Sequence, residues 1–453
     1  MMWEYIKTEM MKRPNQTVWE GDACMTYEQI VVYAELFANK IKGEKCCAIL
    51  CGSEMTGAIA ILSCFAAGVT AVPLSLRYGV NHCQKIIETI GPSAIITDSN
   101  GMLQVMYVSR PKYSEPTYHP AVIMCTSGTT GMPKGVMLSE RNLFTNIRDI
   151  TDYFKVSEKD SILISRPIYH SAVLTGEWLT SLVKGLKIRF YSDEFNPQKI
   201  LDLIINNNIT VFCGTPTMLG IMARFKKQKC CPLTSICISG ECLDKNTAEL
   251  ILGNFPNVNI YYVYGLTEAG PRVSYLPPNM FRGYYDCVGY PLKSVSIRLI
   301  KKDGTYAKPG EEGILWIKGD NVMLGYYNND ALTKNIIKNG WLCTGDIGTV
   351  DDRLMLRIKG RNDDLIIRAG MNIYPQEIEN ALKTDKRVKE VVVYGEKDKI
   401  GIVHIKMKIV GNFSSVSEVK TLCKNKLPAF QIPTFIELVD TLPKNGSGKI
   451  IRR

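Results

Sequence analysis

Short apolar runs that alternate with helix-like segments constrain the fold of this 453-residue chain more than any other feature. Residues 46–51, 69–72 and 94–97 are typical of buried strands, whereas the pattern of residues 55–67 is helical. Strands that alternate with helices in this way form mostly parallel sheets that helices cover. The rhythm continues as far as residues 259–263, and it predicts an α/β fold of layered, mostly parallel sheets with helices.

The pattern changes near residue 289, where short strands separated by Gly and Asp turns predict a small antiparallel β unit. A charged, Gly-flanked stretch follows at residues 360–370. The segments after it predict a small α+β domain of the usual size. We therefore place the domain boundary at Asp363, with a large N-terminal domain over residues 1–362 and a small C-terminal domain over residues 363–453.

Composition narrows the class of protein. The chain is 45% hydrophobic and 22% charged, a globular balance that argues against disorder. Lys and Arg exceed Asp and Glu by 55 to 44, but no basic run with interleaved aromatic residues indicates a nucleic-acid partner. Fifteen Cys without a Cys-x-x-Cys motif, and a charged N-terminus unlike a signal peptide, predict a cytoplasmic protein. The uncharged residues 57–74 are interrupted at Gly68, which favours a buried helix and strand over a membrane span.

The strongest functional signal is the segment AVIMCTSGTTGMPKG at residues 121–135. Its apolar start predicts a strand, and the glycines after it let backbone N–H groups turn towards an anion. Four hydroxyl groups add donors and one lysine adds positive charge. The spacing differs from a Walker A motif, because two residues separate the last glycine of the loop from the lysine. The segment predicts a phosphate-binding loop made of Thr126, Ser127, Gly128, Thr129, Thr130, Gly131 and Lys134.

Three weaker motifs follow along the chain. YGLTE comes after an apolar strand and offers Glu268 as a ligand for a divalent cation and Thr267 as a donor to a phosphate oxygen. TGD ends in Asp346, a carboxylate that suits the two hydroxyl groups of a ribose. LPKNGSGK puts Lys449 on a Gly-rich loop near the end of the sequence.

Together these segments resemble the adenylate-forming superfamily of acyl- and aryl-CoA synthetases, peptide-synthetase adenylation domains and firefly luciferase. The matching motifs are TSGTTGMPKG, YGLTE, TGD, GRNDDLI with the following GMNIYPQEIE, and LPKNGSGK, in the family's order from Thr126 to Lys449. The resemblance implies that a carboxylate attacks the α-phosphorus of ATP with Mg²⁺, giving an acyl-adenylate and pyrophosphate. The small domain then rotates, and a thiol attacks the adenylate.

The resemblance also implies residue roles. Lys449 would bridge the carboxylate and the α-phosphate, and Glu268 would hold Mg²⁺, with Thr267 and His170 also in the catalytic set. The nucleotide would contact the phosphate loop together with Ser239, Gly240, Glu241, Tyr264, Gly265, Asp346 and Arg361. Asp363 matches the hinge position, and the loop of Gly370 and Asn372 would enter the site for the thiol step.

The acid substrate is only partly constrained. The segment at residues 167–170 resembles the Pro-x-x-His segment of acyl- and aryl-CoA synthetases, which borders the acyl pocket. Amino-acid-activating relatives tend to place an Asp nearby, but Glu177 is the only acid between residues 167 and 178. We therefore favour an acid without an α-amino group. The pocket candidates are His170, Ser171, Trp178 and Leu266.

Coenzyme A is the favoured acceptor, and the phosphopantetheine arm of a separate acyl or peptidyl carrier protein is the alternative. The net charge of +11 suits both. A degenerate relative that binds nucleotide only as a regulator is disfavoured, because a mere binder would not need the mobile Lys449. Oxidation of the adenylate, as in luciferase, has no support in the sequence. The sequence thus predicts a stand-alone acyl- or aryl-acid ligase.

Overall fold

The structure is a computed structural model that describes residues 2–76, 79–126, 134–226, 231–368, 371–397, 403–444 and 450–452. Its helices are α1 (Met2–Met11), α2 (Tyr27–Ile41), α3 (Glu54–Ala67), α4 (Val80–Ile90), α5 (Glu140–Tyr153), α6 (Ser171–Val173), α7 (Thr180–Lys184), α8 (Pro197–Asn206), α9 (Pro216–Phe225), α10 (Lys245–Asn254), α11 (Pro278–Tyr284), α12 (Asp330–Ile336), α13 (Pro375–Lys383) and α14 (Val416–Lys426). A π-helical segment, Leu174–Leu179, joins α6 to α7.

The strands are β1 (Thr17–Glu20), β2 (Ala23–Thr26), β3 (Cys46–Ile49), β4 (Thr70–Pro73), β5 (Ala94–Ser99), β6 (Met102–Tyr107), β7 (Val122–Thr126), β8 (Lys134–Leu138), β9 (Ser161–Ile164), β10 (Lys187–Phe190), β11 (Val211–Gly214), β12 (Ser235–Ile238), β13 (Asn259–Tyr264), β14 (Ser274–Leu276), β15 (Tyr290–Pro291), β16 (Ser296–Ile300), β17 (Gly313–Lys318), β18 (Gly325–Tyr326), β19 (Ile337–Lys338), β20 (Trp341–Val350), β21 (Leu356–Arg361), β22 (Ile366–Arg368), β23 (Met371–Ile373), β24 (Val388–Lys397), β25 (Val403–Gly411) and β26 (Phe435–Leu438).

Two large sheets form the main body. In the described part of the chain, the first has the strand order β15-β14-β13-β12-β11-β9-β10-β1-β2, and its central strands from β13 to β1 all run parallel. The second has the order β18-β8-β7-β4-β3-β5-β6, with a parallel centre of β7, β4, β3 and β5. Parallel strands are buried on both faces, which explains their continuous apolar sequences.

Helix α3 shows how local sequence produces this layering. Ser53 caps its start by accepting a hydrogen bond from the Thr56 backbone N–H, and Gly68 ends it with a φ of +69°. Every residue from Met55 to Phe65 is buried, so the helix needs no polar face. The uncharged stretch is therefore a core helix followed by β4, as predicted. Among the described residues, no helix combines the length and apolar character needed to cross a membrane.

The antiparallel unit and the C-terminal segment complete the fold. Strands β16, β17, β20, β19 and β21 pair antiparallel. Near the C-terminus, β24, β25 and β26 form a sheet next to α13 and α14. A separate buried apolar cluster lies in this part and runs from Ile366 to Leu427, apart from the large cluster that ends at Leu356. The α/β fold class with its smaller C-terminal α+β part is confirmed, while the boundary at Asp363 stays a prediction.

The two neighbouring residues Ile366 and Ile367 allow the C-terminal core to be tested. Ile366 is 2% exposed, whereas Ile367 is 50% exposed. We expect Ile366→Ala to lower the free energy of unfolding of this region by about 2–5 kcal/mol, because the substitution leaves a cavity. Hydrogen exchange of the amides in β24 and β25 measures the effect. Ile367→Ala is the matched control, and equal losses in both variants would contradict the assigned core.

Candidate active site

The candidate site begins at the carboxyl ends of neighbouring parallel strands. Strands β9, β11, β12 and β13 lie side by side and run in the same direction. Their carboxyl ends therefore meet at one edge, which is where open α/β sheets bind ligands. The chain continues from three of these ends into Arg166, Ser239 and Gly265. Segments that are far apart in sequence thus converge at one place.

The segment after β12, predicted to contact adenine, has a fixed shape. Ser239 Oγ accepts a hydrogen bond from Arg166 Nη1 at 3.2 Å. Glu241 Oε2 accepts hydrogen bonds from both the backbone N–H (3.2 Å) and the hydroxyl (2.7 Å) of Thr217. Gly240 has a φ of +95°, which side chains other than glycine rarely adopt. A cleft of about 200 Å³ lies next to this segment, between Cys242 and α13.

Gly265, in the YGLTE motif, permits a close approach of two backbone segments. A Cβ atom at this position would lie 1.6 Å from the Pro271 carbonyl oxygen, so any side chain would force the segments apart. The Tyr264 carbonyl also accepts a hydrogen bond from the Val273 N–H at 2.9 Å. The motif is thereby fastened to residues 271–273, which the sequence analysis did not single out.

Asp346 links the YGLTE motif to the antiparallel unit. Its carboxylate accepts a hydrogen bond from the Tyr264 hydroxyl and forms an ion pair with Arg361, Nη1 to Oδ1 at 3.3 Å. Burial raises the pKa of Asp346 above its ordinary value, and the charge of Arg361 opposes that rise. Asp346 and Arg361 are also register partners in β20 and β21. The two predicted nucleotide ligands therefore lie together, and Tyr264 lies beside them.

Glu268 lies beside a tyrosine that the sequence analysis missed. The Tyr326 hydroxyl donates a hydrogen bond to Glu268 Oε1 at 2.8 Å. The ammonium group of Lys134 lies 5.6 Å from the centroid of the Tyr326 ring, within cation–π range. Tyr326 is held in place because β18 pairs with β8, the strand that Lys134 begins. Lys134, which follows the phosphate loop, and Glu268, the candidate metal ligand, are thus both neighbours of Tyr326.

The donor set at Glu268 suits Mg²⁺. In the part of the chain that the structure describes, no group of three or more His, Cys, Asp or Glu side chains forms a metal cluster. Mg²⁺ is usually bound by one or two carboxylates together with substrate phosphates and water, rather than by a complete protein cage. Glu268, with one oxygen oriented by Tyr326, fits that pattern. Of the phosphate loop, Thr126 and Lys134 are register partners in β7 and β8, whereas Ser127, Gly128, Thr129, Thr130 and Gly131 lie outside the described residues.

The acyl-pocket candidates divide into two groups. Ser171 Oγ lies 3.1 Å from Thr267 Oγ1, which joins the start of α6 to the YGLTE motif. His170 precedes α6 directly, with its ring 4.4 Å from that of Tyr169, and Leu266 is half-buried. Trp178, by contrast, is fully buried and packs against Phe190. Ser171 therefore contacts the YGLTE motif, to which Leu266 belongs, and His170 directly precedes Ser171, whereas Trp178 lies in the core.

The buried ion pair between Arg166 and Glu177 was not anticipated from the sequence. Arg166 Nη2 lies 2.6 Å from Glu177 Oε1, and the Glu177 side chain is completely buried. Burial raises the pKa of Glu177, and the charges of Arg166 and Arg272 oppose the rise. Arg166 already balances the charge of Glu177 through Oε1, whereas Glu177 Oε2 has no hydrogen-bond partner among the described residues.

Two of the hinge and thiol-step candidates, Asp363 and Asn372, lie near the junction with the C-terminal segment. Asp363 is exposed, 4.0 Å from Arg361 Nη2, and Asn372 Oδ1 accepts a hydrogen bond from Lys302 Nζ at 3.3 Å. Gly370 and Lys449 lie outside the described residues. Close to Lys449 in sequence, Arg452 forms ion pairs with Glu379 on α13 and with Asp364. These contacts fasten the end of the chain to the C-terminal core.

Comparison with known proteins gives consistent matches. A family model described as AMP-binding enzyme matches residues 7–327, and one described as AMP-binding enzyme C-terminal domain matches residues 377–449. The 2-succinylbenzoate–CoA ligase of Bacillus velezensis is 34% identical over 337 residues, covering 73% of this chain and 67% of the relative. The long-chain-fatty-acid–CoA ligase of Haemophilus influenzae is 31% identical over 390 residues, covering 83% and 69%.

Solved structures match over the whole chain. The o-succinylbenzoate CoA synthetase of Bacillus subtilis, in complex with its acyl-adenylate intermediate, superimposes with a TM-score of 0.87 at 25% identity, covering 99% of this chain and 96% of the other. The same enzyme with ATP and a magnesium ion gives a TM-score of 0.86 at 25% identity, covering 99% and 98%.

Tyr326 and Tyr327 provide a matched test of the metal site. We expect Tyr326→Phe to raise the Mg²⁺ concentration needed for half-maximal activity with ATP by about 10–100-fold, because Glu268 loses the hydrogen bond that orients it. Excess Mg²⁺ should restore most of the rate. Tyr327→Phe is the control, since the Tyr327 hydroxyl contacts the Ile90 carbonyl and the Ser114 N–H instead. An unchanged Mg²⁺ requirement in Tyr326→Phe would contradict the assignment.

Proposed function

Because this chain belongs to the AMP-binding enzyme family, we infer that the site at the strand ends is where it joins a carboxylic acid to AMP. The protein is an AMP-forming acid–CoA ligase that uses ATP, Mg²⁺ and coenzyme A. The observation that carries the placement of the site is that Asp346 and Arg361 of the antiparallel unit meet Tyr264 at the end of β13, four residues before Glu268.

We propose the following roles in the adenylation step. Asp346 accepts hydrogen bonds from the ribose hydroxyl groups, and Arg361 holds it in position while contacting the nucleotide. The phosphate loop, with Lys134 at its end, binds the outgoing phosphates. Glu268 holds Mg²⁺, which when bound neutralises charge on the phosphates. Lys449 supplies positive charge at the α-phosphate as the carboxylate oxygen attacks and pyrophosphate leaves.

The second half-reaction needs a different arrangement of the C-terminal segment. We propose that backbone rotation at Asp363 withdraws Lys449 and brings the loop of Gly370 and Asn372 to the site. The coenzyme A thiol then attacks the acyl carbonyl, the bond to AMP breaks, and AMP leaves. The exposed position of Asp363, between the two apolar clusters, supports this role.

We propose that the substrate is a carboxylic acid without an α-amino group. The relatives act on acids as different as 2-succinylbenzoate and long-chain fatty acids, so their names do not identify the substrate. A carrier protein bearing phosphopantetheine is the alternative acceptor, since it presents the same thiol. The free cysteines of the described residues fit a reducing compartment, and we propose the cytoplasm.

A panel of carboxylic acids tests the function. Pyrophosphate release and trapping of the acyl-adenylate by hydroxylamine are measured with ATP and Mg²⁺, and thioester formation is measured with coenzyme A or a phosphopantetheinylated carrier protein. We expect desamino acids to support adenylation better than the matching amino acids, because Arg166 already balances the charge of Glu177. The reaction is misassigned if neither pyrophosphate nor hydroxamate forms with any aliphatic or aryl acid.

Substitutions at Lys449 and Asp363 should separate the two half-reactions. Lys449→Ala should slow adenylation by about 10²–10³-fold, the usual cost of removing a positioned electrostatic stabiliser. It should still convert a supplied acyl-adenylate to the thioester. Asp363→Pro should keep adenylation and lose thioester formation, because proline restricts backbone rotation at the hinge. Both rates are measured separately in single-turnover experiments.

The control for Lys449→Ala is Lys444→Ala, which removes a lysine from the same terminal motif. Lys444 forms an ion pair with Glu390 at 2.5 Å, and it has no role in the proposed chemistry. Lys444→Ala should retain both half-reactions. If the Lys449→Ala variant is folded but loses adenylation and thioester formation equally, the proposed movement of the C-terminal segment between the two half-reactions is wrong for this chain.

A further inference from the structure

Polar side chains join the start of α13 to the antiparallel unit. The hydroxyl of Tyr374, the residue directly before α13, donates a hydrogen bond to Glu312 Oε2 at 2.6 Å. Lys359 Nζ in β21 lies 3.8 Å from Glu312 Oε1 and 3.3 Å from Glu377 Oε1 on α13. Two of these four residues precede the proposed hinge at Asp363, and two follow it. Their contacts, which we call the α13 contact set, therefore link the main body to the C-terminal segment across the hinge.

The apolar cores on the two sides of this junction are separate. Ile378 and Leu382 of α13 belong to the C-terminal apolar cluster, which is distinct from the large cluster of the main body. At the end of α13 the contact with the main body is again polar, a hydrogen bond from Asn246 Nδ2 to the Lys383 carbonyl at 2.8 Å. Water can replace polar contacts of this kind. Breaking the junction therefore leaves both apolar clusters intact.

The antiparallel unit also contacts the proposed thiol-step loop. Asn372 Oδ1 accepts a hydrogen bond from Lys302 Nζ at 3.3 Å, and the Asn372 side chain is exposed. Lys302 and Glu312 both lie in the connection between β16 and β17, which comprises residues 301–312. This one connection contacts Asn372 through Lys302 and Tyr374 through Glu312. In this structure, Asn372 of the thiol-step loop is therefore bound to the β16–β17 connection and open to solvent.

The proposed second half-reaction requires these contacts to break. It brings the loop of Gly370 and Asn372 to the site by rotation at Asp363, and α13 follows that loop directly in sequence. Helix α13 would then move away from Glu312 and Lys359 in the main body. Whatever the α13 contact set contributes to the present arrangement is lost when the thiol-step arrangement forms, so the contacts oppose that change.

The hydrogen bond between Tyr374 and Glu312 is suited to this role. Burial and, after it, the hydrogen bond to Glu312 raise the pKa of Tyr374, so the hydroxyl stays protonated near neutral pH and remains a donor. A hydrogen bond to a carboxylate is stronger than one between neutral groups. The Glu312 side chain is also 38% exposed, so water can reach the carboxylate when the bond breaks. The bond can therefore favour one arrangement and still be reversible.

We propose that Glu312 and Tyr374 are positioning residues that hold the C-terminal segment out of the thiol-step arrangement, and that Lys359 and Asn246 assist them. The proposal rests on the proposed function, because it requires the C-terminal segment to move between the two half-reactions. The contacts on the β16–β17 connection then set the balance between the arrangements, in addition to the hinge. Weakening these contacts should raise the population of the thiol-step arrangement.

Tyr374→Phe and Glu312→Ala test the proposal in the full-length enzyme, with the best acid of the panel. The acyl-adenylate is first formed on the enzyme, coenzyme A is then added, and thioester formation is followed in a single turnover. Adenylation is measured separately as pyrophosphate release. In each variant we expect the rate of thioester formation, relative to adenylation, to rise by about three- to tenfold. This value is reduced from that of a buried hydrogen bond to a charged group, because Glu312 is partly exposed.

Neighbouring residues supply a control and a second test. Glu311→Ala is the matched control, because Glu311 pairs with Lys301 and accepts a hydrogen bond from the Lys308 N–H, both in the antiparallel unit. It should leave the ratio of the two rates unchanged. Asn246→Ala removes the hydrogen bond at the other end of α13 and should raise the ratio. Asn246 is exposed, so its substitution keeps the proposal testable if a variant at the β16–β17 connection fails to fold.

The double variant Tyr374→Phe with Glu312→Ala separates positioning from a loss of stability. If both residues act through one hydrogen bond, the double variant should raise the ratio about as much as the stronger single variant, because their effects are not additive. A merely structural role would lower the melting temperature and slow both half-reactions, without making thioester formation faster.

Each outcome supports or overturns the proposal. A ratio that is unchanged or lower in folded Tyr374→Phe and Glu312→Ala overturns it, while normal adenylation in the same variants leaves the acid–CoA ligase function intact. An equal rise in Glu311→Ala also overturns it, since the effect would not come from the α13 contact set. If no acid in the panel releases pyrophosphate with the wild type, the proposed function fails, and this proposal fails with it.

Discussion

The geometry of the site depends on two interactions of the Asp346 carboxylate, its hydrogen bond with Tyr264 and its ion pair with Arg361. The hydrogen bond from the Tyr264 hydroxyl connects Asp346 to the end of the parallel sheet. Asp346 itself lies in β20 of the antiparallel unit, where it pairs with Arg361 of β21. Arg361 in turn lies 4.0 Å from Asp363, where the chain leaves the main body. A nucleotide bound at Asp346 would therefore contact both sheets and lie next to the proposed hinge. Under the proposed mechanism, ATP binding and movement of the C-terminal segment would be coupled through this one region.

A second set of contacts, centred on Tyr326, lies at the proposed phosphate-binding end of the site. Tyr326 contacts Glu268 on one side and lies within cation–π range of Lys134 on the other. The pairing of β18 with β8 positions Tyr326 next to the strand that Lys134 begins, and the hydrogen bond from Tyr326 orients Glu268, the candidate metal ligand. Electrostatic stabilisation is effective when charged groups are positioned before the reaction begins. We propose that the pairing of β18 with β8 supplies that positioning.

The sequence predicted the motifs and the fold class because both leave local signals. Apolar runs identified the strands, and glycines with hydroxyl groups predicted the phosphate loop. The contacts between side chains left no such signal. Tyr326 and Glu268 are 58 residues apart, and nothing in the GYY sequence around Tyr326 indicates a hydrogen bond to a carboxylate. Arg166 and Glu177 are 11 residues apart, and nothing in the sequence around them indicates their buried ion pair. Trp178, predicted as a pocket residue from the segment that follows Pro167, is fully buried and packs against Phe190, and its place in the pocket stays a prediction.

The central claim is that the carboxylate of the substrate attacks the α-phosphorus of ATP at this site. Labelling both oxygens of the acid carboxylate with ¹⁸O tests it most directly. When the enzyme turns over with ATP, Mg²⁺ and coenzyme A, one labelled oxygen should stay with the acyl thioester and one should be transferred to AMP, as mass spectrometry of the AMP would show. Label in inorganic phosphate, with ADP as the nucleotide product, would show attack at the γ-phosphorus and contradict the account.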